Sequence, residues 1–364
     1  MSLGFEMSPS TVRTLITVFV LYSIIVVGFG AYVKYASKNQ TADDKLKNFL
    51  TGGGGLGPIA VGMLTFTGMM SAGGAVGGPG TGYSIGFTWA IAVWSGFIFG
   101  GITPFTVGKK IAIVSKRIGA TSLISLFRHR FGNSKAYAVI LAVIFTSFLG
   151  AMTVGQFAGG GKVFAVLSGT GNIKLGVLIF AAVTLIYTAT GGIKSVAKVA
   201  VFQGFVMVIT VILLYVFTLI RVSEQYGSVQ GMMEWLAVNN PKLVVAETWK
   251  PLYMGGTALL MSWCLLAMPT GLVAGFTYNK SSAVIRGGIT AILCCTFYQF
   301  IMSGMGPFTY SLSQTLTSGD FATAFTSITV LPDVMAGLVV AGVASAIQST
   351  IASLLVIVTG SLVI

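Results

Sequence analysis

The run PDVMAGLVVAGVASAIQSTIASLLVIVTGSLVI, Pro332 to Ile364, carries one charged residue, Asp333. An apolar stretch beyond ~18 residues reads as a membrane-spanning helix, because in hydrocarbon the backbone must satisfy its own hydrogen bonds. Such runs follow one another through the chain and read as nine spans, near 11–36, 56–79, 83–108, 136–160, 174–191, 196–220, 256–276, 287–312 and 333–362. Several exceed the thickness of the hydrocarbon core, so tilt or breaks are expected. A mean hydropathy of +0.91 with 8% charged residues fits this reading, since a soluble domain carries roughly a quarter. Barrel strands are about ten residues long and alternate polar with apolar, a pattern foreign to these runs. The first span lacks a basic leader and an A-x-A exit and outruns a signal peptide.

A net charge of +13 raises the question of nucleic acid, and its distribution answers it. Lys34, Lys38, Lys45, Lys47, Lys109, Lys110, Lys116, Arg117, Arg128, Arg130, Lys135, Lys194, Lys198, Lys280 and Arg286 fall in alternate loops; they are 15 of the 21 basic residues. The positive-inside rule makes those loops cytoplasmic. The expectation is a multi-pass protein of the plasma (inner) membrane, with its N-terminus outside and residue 364 on the cytoplasmic side. The basic surplus is topology, with contacts to anionic lipid, and nucleic acid is not an expected partner. Cys264, Cys294 and Cys295 sit in spans without metal-ligand spacing and read as small core residues. Oligomeric state leaves no signature.

The 48 glycines are about twice average usage. Most read as close helix packing, Gly191-Gly192 and Gly159-Gly160-Gly161 among them. Two spans differ. The second is interrupted at Gly68, Gly73-Gly74 and Gly77-Gly78-Pro79-Gly80, the seventh at Pro269-Thr270-Gly271. They lie five spans apart, and paired interruptions in corresponding spans point to the midplane site of a transporter. Two unrelated kinks are the alternative.

In the last span Ala346, Ser349 and Thr350 share one helical face. Hydroxyls there either bond back to the i−4 carbonyl or join carbonyl oxygens around a monovalent cation. Glu6, Asp43, Asp44, Glu224, Glu234, Glu247, Asp320 and Asp333 all map to loops or span ends, and His129 to a basic loop. A proton-driven carrier places such groups within its spans, so proton coupling is disfavoured. No nucleophile–base pair, phosphate loop or metal cluster supports an enzyme.

The chain resembles the sodium/solute symporter family, with its sodium/pantothenate branch most alike. The motifs are NFLTGGGGLGP (Asn48–Pro58), GGPGTGYSIGFTW (Gly77–Trp89), VGKKIAIVSKR, LGAMTV (Leu149–Val154), YTATGGIKSVAKVAVFQGFVM (Tyr187–Met207) and AIQSTIASLLV (Ala346–Val356). They recur in order over almost the whole chain. The resemblance implies an all-α integral membrane protein of leucine-transporter type, one domain over 1–364. An extra N-terminal helix (11–36) precedes a five-helix repeat (56–220) and a partial inverted repeat (256–364), truncated after its third helix. It implies a Na+ site formed by the carbonyls of Thr67, Met70 and Ala346 and the hydroxyls of Ser349 and Thr350. The implied activity is sodium-coupled import of a small organic solute, a pantothenate-like carboxylate favoured, by alternating access. The solute would sit beside the sodium, with Ser71, Gly73, Gly74, Thr153, Gln156, Trp263, Pro269 and Thr270 as candidate contacts. Each of these also reads as ordinary packing; Trp263 would be an apolar wall. The intramembrane amides of Gln156, Gln203 and Gln299 need partners or a cavity.

Three departures stand out. Ala200 occupies a position that is acidic in many relatives. Thr270 and Ala274 stand where relatives often have His and Arg. The chain stops at Ile364, where the family has two more helices, and the abrupt apolar end points to a piece of a longer protein. A transporter-like sensor module and a transport-inactive fragment are the competing readings.

Overall fold

A backbone in hydrocarbon has few options, and among the described residues the apolar segments take the helical one. The structure, a computed structural model, describes residues 5–36, 50–51, 55–100, 105–245, 251–278 and 280–362. Lys38, Lys45, Lys47, Asp43, Asp44, Glu247, Lys250, residues 48–49 and 52–54 of the Asn48–Pro58 motif and residue 364 lie outside the described residues. So do residues 101–104 of the third expected span.

The helices are α1 (Pro9–Ala36), α2 (Pro58–Met69), α3 (Gly78–Ile85), α4 (Phe87–Gly100), α5 (Val107–Ile118), α6 (Leu123–Arg130) and α7 (Lys135–Leu167). Then come α8 (Ile173–Ala189) and α9 (Gly192–Tyr226). The rest are α10 (Val229–Asn239), α11 (Pro251–Ala267), α12 (Pro269–Val273), α13 (Ser281–Leu312), α14 (Ala322–Val330) and α15 (Asp333–Leu362). Among the described residues, five helices are long and apolar enough to cross a membrane. The pair Pro58–Met69 and Gly73–Ile85 makes a sixth path, bent by 60°. The remaining expected spans contain shorter helices: α4, α8 and the broken pair α11–α12.

Several boundaries differ from expectation for identifiable reasons. The third span begins at Phe87 rather than 83, because Gly86 ends α3 at φ 93°. A Cβ there would lie 2.2 Å from the Leu243 carbonyl oxygen. Gly192 does not serve plain packing: it separates α8 from α9 with φ 55° and ψ −148°, a conformation close to glycine-only. Gly159–Gly161 do serve packing, since a Cβ on Gly159 would meet Ala72 at 2.5 Å and one on Gly160 the Phe180 ring at 2.6 Å. Helices α10 and α14 were not anticipated; at 11 and 9 residues they are too short to register as spans.

Helix α15 sits at the centre, with 94% of its apolar window buried, whereas the windows of α1 and α7 are 28% and 22% buried. A helix apolar on all sides belongs in the interior, and α15 packs against α1, α7 and the α8–α9 pair. Small residues set the spacing: a Cβ on Gly342 would lie 2.1 Å from Thr210 Oγ1 on α9. One end of the bundle is closed over α3. There Thr323 Oγ1 donates to the Ala75 carbonyl at 3.0 Å and Lys162 pairs with Asp320. At the other end Leu56 N–H donates to the Thr277 carbonyl at 3.0 Å, and the Tyr278 hydroxyl donates to the Ala112 carbonyl at 2.9 Å.

Candidate cation and solute site

The second span breaks where α2 stops. Met70 is extended at φ −80° and ψ 126°, and the chain resumes as a wide turn over Gly73–Gly77 before α3. The last carbonyls of a helix lack intrahelical donors, so those of Thr67 and Met70 need partners from elsewhere. Helix α15 supplies them. Ser349 Oγ lies 2.9 Å from Thr67 O, 2.7 Å from Ser345 O and 3.1 Å from Ala346 O. Thr350 Oγ1 lies 2.5 Å from Met70 O, 2.9 Å from Ala346 O and 3.4 Å from Thr67 O. Both readings of these hydroxyls therefore coexist: each bonds back along its own helix and each reaches across to α2. Thr67, Met70, Ala346, Ser349 and Thr350 are all buried.

Proton arithmetic shows what this cluster can hold. A hydroxyl has one proton to donate, so two protons serve six close oxygen–oxygen approaches. The approaches without a proton set lone pairs against lone pairs. A cation among these oxygens converts that repulsion into attraction, and an all-oxygen donor set suits a hard ion. Among the described residues no cluster of three or more His, Cys, Asp or Glu offers a rival metal site.

Around the break the solute candidates divide. Ser71 Oγ accepts from the Gly73 N–H at 3.1 Å, and Gly73 is exposed. Gln156 is buried, and its Oε1 accepts from the Ala72 N–H at 2.7 Å. That bond caps the first donor of the resumed helix, so Gln156 reaches the break as its anchor. Thr153 Oγ1 donates to Leu149 O on its own helix at 2.7 Å. Pro269 opens α12 after the second break, at Met268. Thr270 is buried with its hydroxyl unpaired, and a Cβ on Gly68 would lie 3.6 Å from its Cβ. Trp263 requires a correction. It is 70% exposed and shares a face of α11 with the exposed Leu259 and Leu260, so among the described residues it walls no enclosed pocket. Helix α11 packs on α4 and turns that large apolar face outward.

Two residues not assigned to the site from sequence also approach the breaks. Gln299 of α13 is buried with Oε1 unpaired, and a Cβ on Gly74 would lie 2.8 Å from that oxygen. Ser353 Oγ is likewise unpaired and would lie 3.4 Å from a Cβ on Gly68. An amide within a span was the available signal for Gln299; Ser353, one turn beyond Ser349, had none.

The comparisons agree with this architecture. A profile described as the Sodium:solute symporter family matches residues 49–364. The sodium/pantothenate symporter of Escherichia coli (strain K12) is 28% identical over 342 residues, covering 91% of this chain and 68% of that protein. The sodium/pantothenate symporter of Haemophilus influenzae is 27% identical over 327 residues, covering 89% of this chain and 66% of that protein. The chain thus spans about two thirds of the length of these relatives. The solved substrate-bound, outward-open state of a Na+-coupled sialic acid symporter matches with a TM-score of 0.78 at 17% identity. That match covers 96% of this chain and 73% of the other, and it identifies the fold as the leucine-transporter type. On this fold and the profile match, the chain is an integral membrane protein and belongs to the sodium:solute symporter family.

Proposed function

We propose that the protein couples Na+ entry to uptake of a small organic solute, a pantothenate-like carboxylate. Na+ is held by the carbonyls of Thr67, Met70 and Ala346 and the hydroxyls of Ser349 and Thr350. The observation that carries this reading is the shortage of protons among the six oxygen approaches at the α2–α15 contact, three of them crossing between the helices and three within α15. The pantothenate preference rests on the two relatives named above.

Bound sodium draws the carbonyl end of α2 against α15 and so sets the angle of the break. The solute pocket lies beside it, formed by Ser71, Gly73, Gly74, Pro269 and Thr270, with Gln156 holding Ala72 in place. Coupling is then a free energy shared by two ligands that favour the same backbone arrangement. We assign residues 56–220 and 256–364 to related repeats, supported by the paired breaks at Met70–Ser71 and Met268. With the basic loops inside, an inside-negative potential adds about 2.3 kcal/mol per charge per 100 mV to inward movement.

The test is thermal unfolding of the purified chain in sodium and in potassium, with pantothenate and a panel of other small carboxylates. Sodium-specific stabilisation, enlarged by pantothenate, is expected. Equal stabilisation by potassium would remove the cation assignment; an equal response to every carboxylate would remove the substrate assignment.

A further inference from the structure

Beside the cation cluster lies a second buried polar cluster, built on the extra N-terminal helix. The hydroxyl of Tyr22, on α1, donates to Gln348 Oε1 at 3.0 Å and accepts from Gln203 Nε2 of α9 at 2.8 Å. Ser345 Oγ lies 3.0 Å from the same hydroxyl. From α8, the Tyr187 hydroxyl donates to the Gln348 carbonyl at 2.9 Å. All five residues are buried. Gln348 immediately precedes Ser349, and the Ser345 carbonyl is 2.7 Å from Ser349 Oγ. Helices α1 and α8 therefore bond directly to the turn of α15 that presents the cation ligands, and α9 joins them through Tyr22.

Within that network Tyr22 has a particular place. Gln348 Nε2 and Gln203 Oε1 are buried without partners, so the Gln348 amide is tethered through Oε1 alone, and Tyr22 is its partner. An amide in a dry interior follows its hydrogen-bond partner, because losing that partner leaves it uncompensated. We infer that Tyr22 is a positioning residue for the sodium site. It fixes the rotation of the Ser345–Thr350 turn, so that both hydroxyls of the cluster face the break in α2, and it makes α1 a working part of coupling. This inference rests on the sodium assignment above.

The experiment is a sodium titration of the purified full chain, read as thermal stabilisation with choline as the replacement ion. The variants are Tyr22→Phe, Gln348→Met and the pair together. Tyr22→Phe keeps the ring, which stacks on Phe202 at 6.2 Å, and removes only the hydroxyl. The sodium half-saturation point should rise about tenfold in each single variant. The pair should rise no further, because residues acting through one bond are non-additive. An unchanged half-saturation in Tyr22→Phe, even with a lower melting temperature in choline, marks Tyr22 as merely structural and overturns the inference. Additive effects in the pair overturn it as well. Should Tyr22→Phe fail to fold, Gln203→Met takes its place, removing one bond to the phenol. A severalfold rise then supports the positioning role and no change overturns it. A wild-type chain without any sodium response defeats the sodium assignment itself, and the inference with it.

Discussion

Thr350→Val is the sharpest single probe of the cation cluster. Valine keeps the β-branched shape and replaces Oγ1 with a methyl group. In the structure that oxygen reaches the Met70 carbonyl at 2.5 Å and the Ala346 carbonyl at 2.9 Å. Met70 O belongs to a helix end and loses a cross-helix donor, and a buried acceptor left unpaired costs about 1–3 kcal/mol. The sodium-free protein should therefore melt at a lower temperature. Sodium loses more, because one of five ligand oxygens is gone. Taking ~1.5–3 kcal/mol for a polar group interacting with a charge, half-saturation rises about 10- to 150-fold at 1.4 kcal/mol per decade. Thr350→Ser restores the oxygen without the methyl and should return most of the affinity. The assay is equilibrium binding of radiolabelled sodium to purified chain, alongside melting in choline. A half-saturation within twofold of wild type in Thr350→Val would refute the reasoning. So would a Thr350→Ser variant as impaired as the valine.

Three further outcomes follow from the geometry. Gly192→Ala forces a side chain into φ 55°, ψ −148° and should destabilise by about 1–3 kcal/mol, read as a lower midpoint of thermal unfolding. Gln156→Leu strips the Ala72 N–H of its acceptor and should lower thermal stability by a similar ~1–3 kcal/mol. Gln156→Glu, which keeps an acceptor oxygen, should fare better. Trp263→Ala removes an outward-facing side chain, so sodium and solute responses should stay within twofold and stability within about 0.5 kcal/mol. A solute response abolished by Trp263→Ala would return that residue to the pocket.

Membrane residence, the helical class and the family were legible in the chain itself, because they depend on local properties. An apolar run long enough to cross a bilayer has one backbone solution, and α15 occupies the stretch its composition marks out, Asp333–Leu362. The placing of Ser349 and Thr350 on one face likewise follows from 3.6 residues per turn. What those hydroxyls meet does not. The approach of Thr67 O and Met70 O depends on where α2 ends and how α15 crosses it, which are properties of the packed bundle.

The same distinction explains the misreadings. Glycine pairs look alike in sequence, yet Gly159–Gly161 bring helices together while Gly192 turns the chain. The difference is a backbone angle set by the docking of α8 and α9. Trp263 has the chemistry of a pocket wall, but α11 presents its other face to α4. Gln156 has the chemistry of a solute ligand, and the sequence carried no sign that its oxygen also accepts from the Ala72 N–H, 84 positions away. Tyr22 and Gln348 are 326 positions apart and meet through one hydrogen bond. Sequence alone determined where the chain can cross a membrane and which faces carry hydroxyls, because composition and helical period act over a few residues. Only the tertiary structure decided which oxygens face one another, because those distances are set by helices far apart in the chain.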